Sequence, residues 1–147
     1  MDLLKANTLG TVIAIAALFL CILIFAFRLS GASKVEFWLG ILFMLLAVPL
    51  VILLLSAGSQ QRPPLFYIQI GVMLTFMVVE LLFDYILKVD FRHIPWMTVT
   101  YVTLFFAATG GMVGLASLSG KLYTLIAVIL FFIMAFLAIY QRIKTGM

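Results

Sequence analysis

The chain has 147 residues, 67% of them hydrophobic and only 10% charged, with a mean hydropathy of +1.34; an ordinary soluble globule does not have this composition. Its formal charge is +4 and its pI about 9.5, but the basic residues sit at the ends of apolar stretches. Membrane topology and anionic lipid headgroups account for them, and no nucleic-acid partner is needed.

A spanning helix needs roughly 20 mostly apolar residues, and five stretches reach that length, at about 9–27, 35–56, 65–87, 96–118 and 122–140. The expected fold is an all-α integral membrane protein, a five-transmembrane-helix bundle forming one domain over 1–147 with short loops. The first stretch is too long for a secretory signal and lacks a small-residue cleavage pattern, so it reads as a span. Asn7 or Thr8 is suited to cap it. Gly10, Ala14, Ala17 and Cys21 form a stripe of small residues along it, the kind of face on which membrane helices approach closely. Cys21 is the single cysteine and reads as a small apolar side chain.

Residues 28–34, RLSGASK, make a polar turn, and Glu36 falls in the first turn of the second span, where a carboxylate suits the helix dipole. Pro49 removes a backbone hydrogen bond inside that span and predicts a kink near Leu45 to Pro49. The loop AGSQQRPP, residues 57–64, ends on two prolines that place the third helix start at Pro63 or Pro64. Pro95 marks the start of the fourth span in the same way. Along that span Thr103, Ala107, Gly111 and Gly114 are small residues at helical spacing, and Gly110 with Gly114 is a GxxxG pair. Ala107, Gly110, Gly111 and Gly114 are therefore candidate helix-packing positions. SLSGK, residues 117–121, is so short that the fourth and fifth helices are expected to form a tight antiparallel hairpin. QRIKTGM reads as a basic tail.

Counting Lys and Arg by side, Lys5, Arg62 and Lys121 fall on one face and Arg28, Lys34, Lys88, Arg92, Arg142 and Lys144 on the other. The positive-inside rule then places the N-terminus outside and the C-terminus in the cytoplasm of a cell membrane.

Chemistry concentrates at the end of the third span. Gln69 and Glu80 are close to three turns apart, and Glu80, Asp84 and Lys88 step by four, so all four fall along one helical stripe. At about 1.5 Å rise per residue Glu80 lies about 12 Å inside Lys88, and an ionised group near the bilayer centre costs roughly 2.5–3.5 kcal/mol. Two carboxylates one turn apart resist joint ionisation, so Glu80 is expected to hold its proton while Asp84 pairs with Lys88. Glu80 and Asp84 are thus the candidate proton- or cation-binding pair. Gln69, Lys88, Thr98 and Tyr101 are its supporting polar groups.

One histidine, His93, and no HxxxH or HExxH spacing argue against a metal centre, even with Asp90 nearby; no cofactor and no catalytic residue is assigned. Three function classes follow: binding or translocation of a proton or cation, an accessory or assembly subunit of a larger membrane complex, and an enzyme or binding protein for a lipid or isoprenoid. For the last, Asp84, Asp90, His93 and Tyr101 would be the polar equipment. Expected partners are membrane lipids and either further copies of the chain or other subunits.

Overall fold

The computed structural model describes residues 3–59, 61–86 and 94–145, the side chains of Asp84 and Thr145 excepted. Every regular element in it is helical: α1 (Leu3–Ser30), α2 (Ser33–Leu45), α3 (Ala47–Ser56), α4 (Pro64–Glu80), a π turn (Leu81–Ile86), α5 (Pro95–Ala116), a 3₁₀ turn (Ser117–Ser119) and α6 (Lys121–Thr145). With α2 and α3 taken as one bent unit, five helices among the described residues are long and apolar enough to cross a membrane.

Helix α1 occupies the middle of the bundle and packs against α2, α3, α5 and α6. Its small-residue stripe explains how: Gly10, Ala14, Ala17 and Cys21 are all buried. A Cβ added at Gly10 would come within 3.2 Å of Leu115 on α5, so the absent side chain sets the approach of α1 and α5. Helix α4 packs chiefly on α5. Helix α6 buries only Ala127, Met134 and Gln141 among its described residues. These lie two turns apart on a single line, and Leu125, Ile129, Phe132, Phe136 and Ile143 face outward. Side chains of this size exposed over a whole face would drive a water-soluble protein to aggregate; in hydrocarbon they cost nothing.

Helix boundaries follow local chemistry. Pro64 and Pro95 each stand in the first turn of their helix, where the missing N–H is not needed. The break between α2 and α3 falls at Leu46, three residues before Pro49, because a proline ring crowds the carbonyl one turn earlier. Gly31 (φ 78°) and Gly120 (φ 129°) supply the positive backbone angles that the two shortest connections require. At the second of these the hydroxyl of Ser119 donates to the Asn7 carbonyl at 3.1 Å and also touches the hydroxyl of Thr11, which pins the α5–α6 turn to the start of α1.

Three expectations are corrected. Asn7 and Thr8 do not cap α1, which begins at Leu3; the hydroxyls of Thr8 and Thr11 instead donate to carbonyls four residues back, a bond that polar residues inside a helix commonly make. The fifth helix does not end at about residue 140, since α6 runs through Thr145 and Gln141 is 1% exposed. The third span is not α-helical throughout, and that change bears on the site.

Candidate functional site

Four helix ends meet at one end of the bundle. The last turn of α1 brings Arg28, the last turn of α6 brings Gln141 and Arg142, the end of α4 brings Glu80, and the first turns of α5 bring Thr98 and Tyr101. These six polar side chains line one cavity of about 220 Å³, partly open to the outside. The remainder of its wall is apolar and aromatic.

Its floor is a layer of rings drawn from different helices. Phe76 of α4 has Phe105 and Tyr101 of α5 at centroid distances of 5.4 and 5.5 Å and Phe43 of α2 at 6.3 Å. Phe25 of α1 meets Phe105 edge-on at 5.7 Å. Offset and edge-to-face pairs of this kind each add about 0.5–1.5 kcal/mol beyond simple contact, so the layer holds four helices in register. Beneath it the buried core is Leu18, Ile70, Met73, Met112 and Leu115. The buried hydroxyls below the layer, Thr11 and Thr109, are committed to carbonyls of their own helices.

Arg28 is positioned by Glu36. Its Nε–H donates to Oε1 at 2.6 Å across the turn between α1 and α2, and its guanidinium carbon lies 5.6 Å from the centroid of the Phe25 ring. A charge-assisted bond is roughly twice as strong as a neutral one, which suits side chains only 12% and 25% exposed. Glu36 thus holds the guanidinium at the cavity wall, a role beyond its favourable place at the helix start.

Immediately after Glu80 the chain leaves α-helical geometry for the π turn. A π turn bonds to the fifth residue back, so the position in register with Glu80 is Tyr85, and the regular step of four through Asp84 does not continue. Tyr85 is half-buried beside α2: its hydroxyl occupies the space that a side chain at Gly40 would fill, and its ring lies 5.4 Å from that of Phe37. Close packing of a tyrosine onto a glycine explains why the turn can hold an extra residue there. The side chain of Asp84, and all of Lys88, Asp90, Arg92 and His93, lie outside the described residues.

The sequence-derived residues therefore separate into two places. Glu80, Thr98 and Tyr101 share the cavity. Gln69 does not: its amide packs over Gly114, and its backbone lies 3.4–3.5 Å from where a Cβ on Gly111 would be, making this the close contact between α4 and α5. Ala107 and Gly110 point away from it and are exposed, with open space beside Gly110. Arg28, Gln141 and Arg142 were not picked out as site residues from sequence. The signal for them was faint, namely basic residues ending two spans on the same predicted side. Among the described residues no group of three or more His, Cys, Asp or Glu side chains is placed to hold a metal ion. Comparison with protein-family models, with curated proteins and with solved structures finds no match to this chain, so a functional reading must be built from the site itself.

Proposed function

We propose that the chain is a multi-pass cell-membrane protein, with α5 and α6 as an antiparallel hairpin and the C-terminus in the cytoplasm, that binds a proton on Glu80 and exchanges it with the cytoplasmic side. The observation that carries this reading is the presence of Glu80 in an aromatic-floored cavity at the basic end of the bundle, beside the hydroxyl-bearing side chains Thr98 and Tyr101. An intramembrane carboxyl is costly to keep and earns a functional presumption. Asp84, the other member of the carboxylate pair, is the candidate relay toward water.

A metal cation fits less well than a proton. Arg28 and Arg142 line the same cavity and repel a second fixed positive charge, whereas a proton merely neutralises Glu80. The apolar core beneath the aromatic layer argues for exchange at one end; passage to the far side would need the layer to open. Infrared titration of the protein in lipid tests the proposal: a protonated-carboxyl band should titrate in the wild type and vanish in Glu80→Gln. A wild type lacking the band, or a variant keeping it, would rule the proposal out.

A second reading, as a self-associating or accessory subunit, is favoured by the exposure of Thr103, Ala107 and Gly110, one helical stripe of small residues on the outside of α5. Its test is whether Ala107→Leu dissociates an oligomer in detergent without altering the monomer's fold.

A further inference from the structure

The cavity is richer in aromatic side chains than proton binding requires. Phe25, Phe43, Phe76, Tyr101, Phe105 and Phe106, from α1, α2, α4 and α5, all line it. Its volume of about 220 Å³ exceeds the roughly 150 Å³ of an apolar cavity that accepts benzene, so a molecule of one or two rings fits. Aromatic groups prefer offset and edge-to-face contacts, and rings brought from four helices can meet a flat guest by face and by edge. The charged lining groups are already engaged: Arg28 gives its Nε–H to Glu36 and lies over the Phe25 ring, and Glu80 and Arg142 each have interactions within the chain. A charge on the guest would therefore enter apolar surroundings without a partner, which is costly. The described lining side chains that are also exposed are Val102 (41%) on α5 and Ile139 (56%) and Ile143 (78%) on α6, and all are apolar.

We infer that this cavity binds an uncharged aromatic lipophile of one or two rings, taken from the hydrocarbon of the bilayer past Val102, Ile139 and Ile143 and held against the rings of Phe76 and Phe105. The inference rests on the membrane reading proposed above and is independent of protonation at Glu80. Because lipid tails are as apolar as the cavity wall, moving a guest from lipid into the cavity gains little from the hydrophobic effect. Selection must come from contact with the rings, so an aromatic guest is preferred to a saturated one of the same shape. Entry through apolar side chains suits such a molecule, which has no hydration to lose on the way.

The test uses the full chain in zwitterionic lipid nanodiscs with 2-fluoronaphthalene as probe, since fluorine magnetic resonance separates a protein-bound from a lipid-dissolved signal. A bound signal saturating at one probe per chain is expected. At equal concentration in the lipid phase, 6-fluoro-2-naphthoate should bind at least tenfold more weakly. Decalin, the saturated bicycle, should displace the probe at least fivefold less well than naphthalene. Ala138→Phe adds bulk to the cavity wall and should weaken the probe at least tenfold, and Phe105→Leu should narrow the preference for naphthalene over decalin. Ile133→Phe, on the exposed flank of α6, should change neither; circular dichroism and melting temperature establish which variants are folded. Absence of a saturable bound signal, naphthoate binding as tightly as the neutral probe, decalin competing as well as naphthalene, or binding indifferent to a folded Ala138→Phe would overturn the inference. Flotation of the chain with lipid vesicles keeps the two readings apart. A chain that does not float overturns the membrane reading and this inference with it, whereas one that floats and does not bind the probe overturns this inference alone; the infrared band of Glu80 is a separate readout.

Discussion

Replacing Phe76 by alanine removes the ring on which the aromatic layer converges. In a water-soluble core such a truncation costs about 3–5 kcal/mol, a value that includes returning the ring to water. Helices separated within a bilayer keep the ring in hydrocarbon, so the transfer part disappears and lost packing is what counts. Phe76 is 1% exposed and engages Phe43, Tyr101 and Phe105. Three pairs at about 0.5–1.5 kcal/mol each, discounted because they share one ring, give roughly 1–3 kcal/mol. Equilibrium unfolding in mixed micelles, followed by circular dichroism, measures this directly. Phe19, 51% exposed on α1, is the control, and Phe19→Ala should change stability by less than about 0.5 kcal/mol. Equal losses at Phe19 and Phe76 would refute the claim that the ring layer organises the bundle.

The two glycines of the GxxxG pair should behave differently. Gly114→Leu must displace the Gln69 amide and separate α4 from α5, with an expected loss of about 1–3 kcal/mol from overpacking, whereas Gly110→Leu enters open space and should leave monomer stability nearly unchanged in the same unfolding assay. Glu36→Ala strips Arg28 of its positioning partner; a partly buried charge-assisted bond of this kind is worth about 1.5–3 kcal/mol, and Arg28→Gln in the same background should recover part of the loss in a double-mutant cycle. Gly40→Ala forces the Tyr85 hydroxyl off its seat, so tyrosine fluorescence should change and melting temperature should fall, with Tyr85→Phe partly restoring it.

Hydropathy made the five apolar helices legible because a helix able to cross a bilayer needs a long uninterrupted apolar run, and Pro64 and Pro95 located two helix starts because their chemistry is local. Pro49 announced the α2–α3 break for the same reason. Less visible was anything decided by contact between distant parts. The π turn after Glu80 goes with the packing of Tyr85 against Gly40 and Phe37, residues some 45 positions earlier in the chain, and no periodicity within residues 81–86 forecasts it. The extension of α6 past Tyr140 was hidden by its polar composition, since Gln141 and Arg142 resemble a solvated tail until the cavity supplies a reason for burial. Reading the GxxxG pair as one face also failed to divide it, because which glycine meets α4 depends on the rotation of α5 about its own axis. Glu80 itself stood out early, as a carboxyl deep in an apolar run must.

That the cavity around Glu80 opens toward the C-terminal side of the membrane is the claim on which the proposed chemistry depends. Single-cysteine labelling tests it: with Cys21→Ala as background, Glu80→Cys in sealed proteoliposomes of known orientation is exposed to a membrane-impermeant thiol reagent from each side. The account predicts labelling of position 80 from the C-terminal side alone, and none from either side at Leu18→Cys beneath the aromatic layer. Labelling of position 80 from the opposite side, or from neither, would contradict it.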